Sequence, residues 1–316
     1  MSDKRKTRRE FMADAAVAAA AASVASCFPD PGGEWAEACP HSASADEPLT
    51  GAAPVVEVFD PTAVDVDTIQ SEAVPPMLEQ ALTTLAGGAD PWPVLLPDYV
   101  AGMRIGLKVN CLNPSCPTSV PVTRALVDSL EAGLGISGDD ILVWDRRLDE
   151  LTACGFTEES MGARVVGTVA STTDDSGPGY EDCYCELPGG KRTHLSRILT
   201  EETDLTISVP VLKTHEVSGV TASMKNIYGV IDNPGRFHND LNTALPALYA
   251  LAPIRERIRL TVVDALLAVT VGGTASPTDT VPRRLFVCAD PVATDSYALD
   301  LVNRLRAEKD LGLDEV

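Results

Sequence analysis

Lysine, histidine and aromatic side chains are scarce in this sequence. Its 316 residues hold only 7 Lys and 4 His, and Phe, Trp and Tyr together make up 5% of the chain. With so few rings, Ala, Val, Leu and Ile must fill the interior, so the core is expected to be aliphatic. The net charge of −21 repels phosphate backbones and, without a strong local basic patch, argues against a nucleic-acid partner. Strong acidity serves a well-solvated surface before it serves cation recruitment. Neither the paired C-x2-C spacing of zinc sites nor the C-x2-C-x2-C run of ferredoxins occurs, which leaves an iron–sulfur cluster without support. A long apolar run is missing too. The Ala-rich stretch 13–25 is short, weakly apolar and interrupted by Asp14, which excludes a permanent membrane span there.

What the first residues do contain is the pattern of a targeting segment. Lys4, Arg5 and Lys6 precede Thr7-Arg8-Arg9-Glu10-Phe11-Met12, which resembles the twin-arginine (Tat) export motif. Val24-Ala25-Ser26-Cys27 resembles a bacterial lipobox. Residues 1–26 are therefore expected to be a signal peptide, with Cys27 lipidated and the Pro/Gly/Ser/Glu-rich stretch 27–54 acting as a flexible tether. Ala43-Ser44-Ala45 is an alternative cleavage site, though it lies far beyond the apolar run. On this reading the protein meets the Tat machinery, reaches the periplasm or another extracytoplasmic space, and touches the membrane only through its N-terminus. Of the eight cysteines, one pair is expected to form a disulfide in such a compartment. Spacing does not say which.

From residue 55 to 316 the pattern is α/β, and one domain is expected. Short β-branched runs at 105–109, 141–144, 165–169, 205–211, 260–263 and 285–288 alternate with helical stretches at 78–85, 120–134, 222–231, 243–251 and 292–306. Apolar strands unbroken by polar residues and separated by helices predict a mostly parallel sheet with helices on both faces. Several strands finish on polar groups: Lys108-Val109-Asn110, Asp145, Asp264 and Asp290. In open parallel sheets ligands bind beyond the carboxyl ends of the strands. Asp at such a place also caps the next turn or helix, and for Asp264 and Asp290 both roles stay open.

The scarce basic groups concentrate in one window. Lys213, His215, Lys225 and His238 fall within 26 residues of the stretch 207–238. Thr221 is a reasonable N-cap for a helix beginning at Ala222, and its free N–H groups would favour an anion, with Lys225 one turn in. Lys213 and His215, two apart in extended chain, point the same way. A pocket for a carboxylate or phosphate follows, with Lys108, Asn110, Thr221, Lys225 and Asn226 as binding residues.

Lys108-Val-Asn110-Cys111, Val143-Trp-Asp145-Arg146, Val209-Pro-Val-Leu-Lys213-Thr-His215, Gly219-Val-Thr221, Met224-Lys225-Asn226, Gly229, Asn233-Pro234, His238, Val263-Asp264-Ala265, Gly272-Gly273 and Asp290-Pro-Val-Ala-x-Asp295 occur in this order. Together they resemble the DUF362 family, specifically its exported twin-arginine members, over about residues 98–316. The resemblance implies no activity, because members are of unknown function. It implies a distant fold-level kinship with nickel-pincer lactate racemases, which is analogy only. It also implies a thiol shortly after His238, but Asn239-Asp240-Leu241-Asn242-Thr243 stands there instead.

Two functional classes are compatible with these residues. In the first the protein is an enzyme acting on a small anionic substrate. His215 or His238 is the general base, and Lys213 and Lys225 stabilise developing negative charge. A divalent transition metal on His215, His238, Asp145 and Asp264 is a variant of it. In the second class the protein is a lipid-tethered binding or assembly component of the cell envelope, and the same groups hold a ligand without turnover.

Overall fold

The computed structural model describes residues 37–41 and 53–312. The twin-arginine-like segment, Cys27 and most of the expected tether lie outside the described residues. Among the described residues no helix is long and apolar enough to cross a membrane.

Among the described residues nine strands make one sheet. They are β1 (Val56–Phe59), β2 (Ile105–Lys108), β3 (Ile141–Arg147), β4 (Arg164–Val169), β5 (Leu205–Ser208), β6 (Val211–His215), β7 (Gly219–Thr221), β8 (Ile258–Val269) and β9 (Arg284–Cys288). The order across the main sheet is β1-β9-β8-β5-β2-β3-β4, with β6 joined to both β8 and β7. The five central strands β8, β5, β2, β3 and β4 are parallel, while β9 and β1 add an antiparallel edge. This is the mostly parallel α/β sheet expected from the apolar runs.

The period of two along each strand decides which face each residue serves. Ile105, Leu107, Ile141, Val143, Ile207, Leu260 and Val262 pack into one core with the helices α1 (Val74–Ala86) and α2 (Val120–Leu134). Leu142 and Trp144 face the opposite way. They join a second core with α4 (Leu241–Tyr249), which follows the one-turn helix α3 (Ser223–Asn226). Val263, Ala265 and Phe286 pack beneath α5 (Pro291–Ala307). Both faces of the sheet are therefore covered. α1 and α2 each carry a proline in the first turn and end on a left-handed glycine, Gly87 and Gly135, the usual start and stop of a helix.

Two local expectations change. The run 205–211 is two strands, because Pro210 has no N–H to give to a ladder. The chain stays along β8 through the break, pairing Ser208 with Thr261 and Val211 with Asp264, but it leaves β2 and takes β7 as its new neighbour. The helix expected over 222–231 is only Ser223–Asn226, followed by a 3-10 turn at Ile227–Val230. Ile227, Gly229 and Val230 are poor helix formers, which accounts for the early end.

Part of the expected tether is also fixed. Residue 39 donates its backbone N–H to Tyr184 and Tyr184 donates to Glu37, both at 2.8 Å. A disulfide joins Cys39 to Cys183. This anchors 37–41 beside the hairpin of Cys185–Leu187 and Lys191–Thr193.

Candidate functional site

The sheet runs outward from β2 through β3 to β4, then returns to place β5 on the other side of β2. The direction of strand order thus reverses between β2 and β5, the place where open parallel sheets leave a crevice at their carboxyl edge. Lys108 ends β2 and Ser208 ends β5. The β6–β7 hairpin peels away just beyond them and forms one wall.

Register decides what that wall presents. Lys213 lies directly opposite Thr221 and His215 opposite Gly219, and opposed residues of an antiparallel pair share a face. Lys213, Thr221 and His215 therefore project together. The cavity they enter is also lined by Lys108, Asn110, Asp145, Lys225, Asn226 and His238. Lys213, His215, Lys225 and His238 thus meet in one place. The cavity volume is about 70 Å³, which suits a ligand head group of a few heavy atoms.

The floor is a closed network. Lys108 Nζ donates to Asp145 Oδ1 and to the Val109 carbonyl, both at 2.7 Å. Asp145 also accepts the backbone N–H groups of Arg146 and Cys111 at 2.7 Å. Asn226 Nδ2 donates to the Lys108 carbonyl at 2.9 Å and to Ser208 Oγ at 3.0 Å, which stitches the ends of β2 and β5 together. Gly229 lies against this floor. A Cβ there would come within 2.7 Å of Lys108 Nζ and 2.8 Å of Asp145 Oδ1, so only glycine fits.

Above the floor the charges are not balanced. Lys213 is 1% exposed and donates to Asn110 Oδ1 at 3.1 Å. Burial lowers its pKa, against the raising fields of Cys116, Cys111, Cys154 and Asp145. Half-buried Lys225 sits 4.5 Å from the Tyr228 ring centre, and loss of solvent brings it down to about 8. Neither ammonium has a carboxylate partner within salt-bridge range among the described residues. The Thr221 hydroxyl beside them is buried without a hydrogen-bond partner.

The two imidazoles face each other, His215 Nε2 to His238 Nε2 at 3.1 Å. His215 Nδ1 accepts the backbone N–H groups of Val217 at 3.1 Å and Ser218 at 3.2 Å. Two donors on Nδ1 put the His215 proton on Nε2. His215 then donates to His238, whose own proton lies on Nδ1. Burial first, then the Lys225 and His238 charges, push His215 down to about 3; burial and Lys225 also lower His238.

Several expectations need correction here. Thr221 ends β7 instead of capping a helix, and the cap position falls on Ala222. The anion expected at that helix start is supplied by the chain itself. Asp295 on α5 accepts the N–H of Ser223 at 2.6 Å and of Met224 at 3.1 Å. Desolvation raises its pKa to about 7 despite those bonds. A ligand anion must therefore meet the lysines, not the helix start. Asp264 does not reach the cavity. It accepts the N–H of Ser119 at 2.8 Å and of Leu266 at 3.1 Å in a separate pocket with Cys116 and Thr278. Asp290 caps α5 through the Ala293 N–H at 2.8 Å.

These placements bear on the metal set His215, His238, Asp145 and Asp264. A ligating imidazole donates its second ring N–H to a neighbour, whereas His215 Nδ1 accepts two. Asp145 is committed to Lys108 and two backbone donors, and Asp264 is elsewhere. The four do not fit a shared ion. Among the described residues, the group whose donor atoms do converge is Cys39, His41, Glu181 and Cys183, within 4.8 Å of one another.

Arg146 and Tyr228 line the cavity as well and were not picked out from sequence as site residues. Arg146 donates to Tyr180 Oη at 3.2 Å and to the Asp232 carbonyl at 2.8 Å. Its place two residues beyond Trp144, next to Asp145 in the ordered motifs, was the available signal.

Residues 105–300 match the model of a domain of unknown function, DUF362. A D-aminoacyl-tRNA deacylase from Halorubrum lacusprofundi is 30% identical over 106 residues, 33% of this chain and 21% of that protein. This chain thus matches about a fifth of the length of that relative. Among solved structures, the lactate racemase apoprotein from Thermoanaerobacterium thermosaccharolyticum is similar at a TM-score of 0.45 and 12% identity, over 72% of this chain and 55% of that one. A protein from Thermotoga maritima is similar at 0.42 and 12%, over 78% and 60%.

Proposed function

The chain belongs to the DUF362 family, and for this member we propose an enzyme that binds a small carboxylate or phosphate compound and moves a proton on it. The observation that carries the reading is the pair Lys213 and Lys225, one buried and one half-buried ammonium group without carboxylate partners among the described residues, in one cavity of a chain whose net charge is −21. Burying a cation without a counter-ion is costly, and an anionic ligand removes that cost. Lys213, Lys225 and the unpartnered Thr221 hydroxyl are the groups that would hold its oxygens. Lys108, Asn110 and Asn226 keep the floor in shape beneath it.

Of the two imidazoles, His238 is the better base. His215 spends its lone pair on two backbone N–H groups and carries its proton on Nε2, so it serves as a neutral donor to a ligand oxygen. His238 keeps a lone pair on Nε2, and only the His215 N–H occupies it. A ligand that captures the His215 N–H frees His238 Nε2 to accept a proton from carbon or oxygen. The lysines then stabilise the negative charge that develops.

Solvent exchange tests this. Small 2-hydroxy, 2-amino and phosphorylated carboxylates are incubated with the protein in deuterium oxide, and loss of the C–H signal next to the carboxylate is followed by NMR. Exchange that disappears in His238→Asn supports the enzyme. Saturable binding without exchange on any bound compound instead supports the second reading, a non-catalytic ligand-binding component of the cell envelope, which the same uncompensated lysines would serve. For either reading the twin-arginine-like start and Cys27 support export and lipid tethering, and the acidic surface gives no reason to add a nucleic-acid partner.

A further inference from the structure

The second cluster of reactive side chains lies away from the cavity. Two short hooks carry it, Cys39-Pro40-His41 and Glu181-Asp182-Cys183, each with its donors two residues apart. Cys39 and Cys183 are joined as a disulfide. His41 Nε2 sits 3.0 Å from both Glu181 oxygens, and Cys39 Sγ lies 3.6 Å from Glu181 Oε2. A neutral disulfide needs neither an imidazole nor a carboxylate against it. The same four side chains with the sulfurs reduced are two thiolates, one imidazole and one carboxylate.

We propose that this cluster is a redox-gated zinc(II) site: reduced Cys39 and Cys183, with His41 and Glu181, bind one zinc ion, and oxidation releases the ion and closes the disulfide. Two sulfurs, a nitrogen and an oxygen are a donor set that zinc accepts and that magnesium or calcium does not. Tetrahedral zinc holds its donors on bonds of about 2.0–2.3 Å, hence within roughly 4 Å of one another. The ligand atoms here already lie within 4.8 Å, so small side-chain rotations complete the site. The balance closes. A dithiol passes two electrons and two protons to the disulfide and becomes a disulfide itself, and zinc(II) then displaces both protons from the new thiols. In reverse, an exogenous disulfide takes two electrons from the zinc-bound thiolates and two protons from solvent, leaving as two thiols while zinc(II) is released and Cys39–Cys183 closes.

Either state pins the 37–41 segment to the body of the protein. Apart from the cluster, two backbone hydrogen bonds with Tyr184 hold this segment. The zinc state would serve in a reducing compartment and the disulfide in an oxidising one.

The test uses the full chain, oxidised or reduced by a dithiol that is then removed under anaerobic conditions, titrated with zinc(II) against a competing chelator. The reduced protein is expected to bind one zinc per chain at least tenfold more tightly than the oxidised protein does. Glu181→Gln and His41→Ala should each weaken it tenfold or more, and Cys39→Ser should abolish it. Cys154→Ser, at a free thiol elsewhere, should leave it intact. Cobalt(II) in place of zinc should show a thiolate charge-transfer band that Cys39→Ser removes, a readout that does not depend on activity. Equal zinc affinity in the two redox states would overturn the proposal, and so would zinc binding unchanged in both Cys39→Ser and His41→Ala. Since His41 is partly exposed, its variant is expected to fold even where a cysteine variant does not.

Discussion

His215 and His238 meet nitrogen to nitrogen at 3.1 Å, and the backbone on the far side of His215 decides which of them holds the proton. Val217 and Ser218 both donate to Nδ1, so the ring behaves as a fixed N–H donor aimed at its partner. Asn places an oxygen near the position of Nδ1 and can accept the same two N–H groups. His215→Asn is therefore expected to fold with the hairpin intact while losing the donor to His238. Nitrogen-15 shifts of the wild-type rings should report an Nε2–H tautomer for His215 and an Nδ1–H tautomer for His238. The opposite assignment would remove His238 as the base.

Lys213 is kept at a cost to the fold. Lys213→Met retains the aliphatic stem and removes a desolvated charge, so it should raise the stability of the ligand-free protein by about 1–3 kcal/mol. The same change should weaken binding of phosphate or malonate by about 10- to 150-fold, the scale of a charge-assisted hydrogen bond at 1.5–3 kcal/mol. Denaturant midpoints and calorimetry measure the two effects. A variant that is less stable and binds equally well would contradict both.

Anion affinity should fall on the alkaline side. Lys225 titrates at about 8 in the free protein, and only its protonated form attracts an anion. Binding is therefore strong below that value and declines as the pH rises through it, with an anion holding the proton on to slightly higher pH. Lys225→Met should flatten this decline. A wild-type affinity that is level from pH 7 to 10 would exclude Lys225 as a ligand contact.

Asp295 gives a pH effect on stability with a definite sign. Its pKa is raised from 3.8 to about 7 on folding, so the folded state holds the proton more tightly than the unfolded chain. The resulting stabilisation is fully present below about pH 4 and is lost as the pH rises through 7. Asp295→Asn, which does not titrate, should gain on the wild type between pH 5 and 8 when denaturation midpoints are compared. Parallel curves for the two proteins would contradict this.

Gly229→Ala tests the floor. The added methyl group meets Lys108 Nζ and Asp145 Oδ1, which form a buried ion pair. A loss of about 1–3 kcal/mol, the range for overpacking a buried site, is expected from chemical denaturation. Anion binding should weaken with it, because the displaced Lys108 and Asp145 share the cavity with Lys213.

The sheet could be read from the sequence because strands buried on both faces leave continuous apolar runs, as 141–144 does, and because α2 carries its own start and stop signals. The convergence of Lys213, His215, Lys225 and His238 could be expected because Lys and His are few in the chain and these four fall close together in it. What could not be read were the partners supplied from distant sequence. Asp295 lies 72 residues beyond Ser223, and nothing local to Thr221 shows that the helix start is already occupied. Asp264 looked like a strand-end ligand, but β8 runs on to Val269 and the carboxylate is taken by the N–H groups of Ser119 and Leu266. The twin-arginine-like start and Cys27 fall outside the described residues.

Calorimetric titration of the ligand-free protein with inorganic phosphate and with malonate, repeated on Lys213→Met combined with Lys225→Met, tests the shared anion cavity most directly. One saturable site per chain for at least one of these anions, absent from the doubly substituted protein, is the predicted result. No saturable binding by the wild type, or equal binding by the double variant, would contradict it.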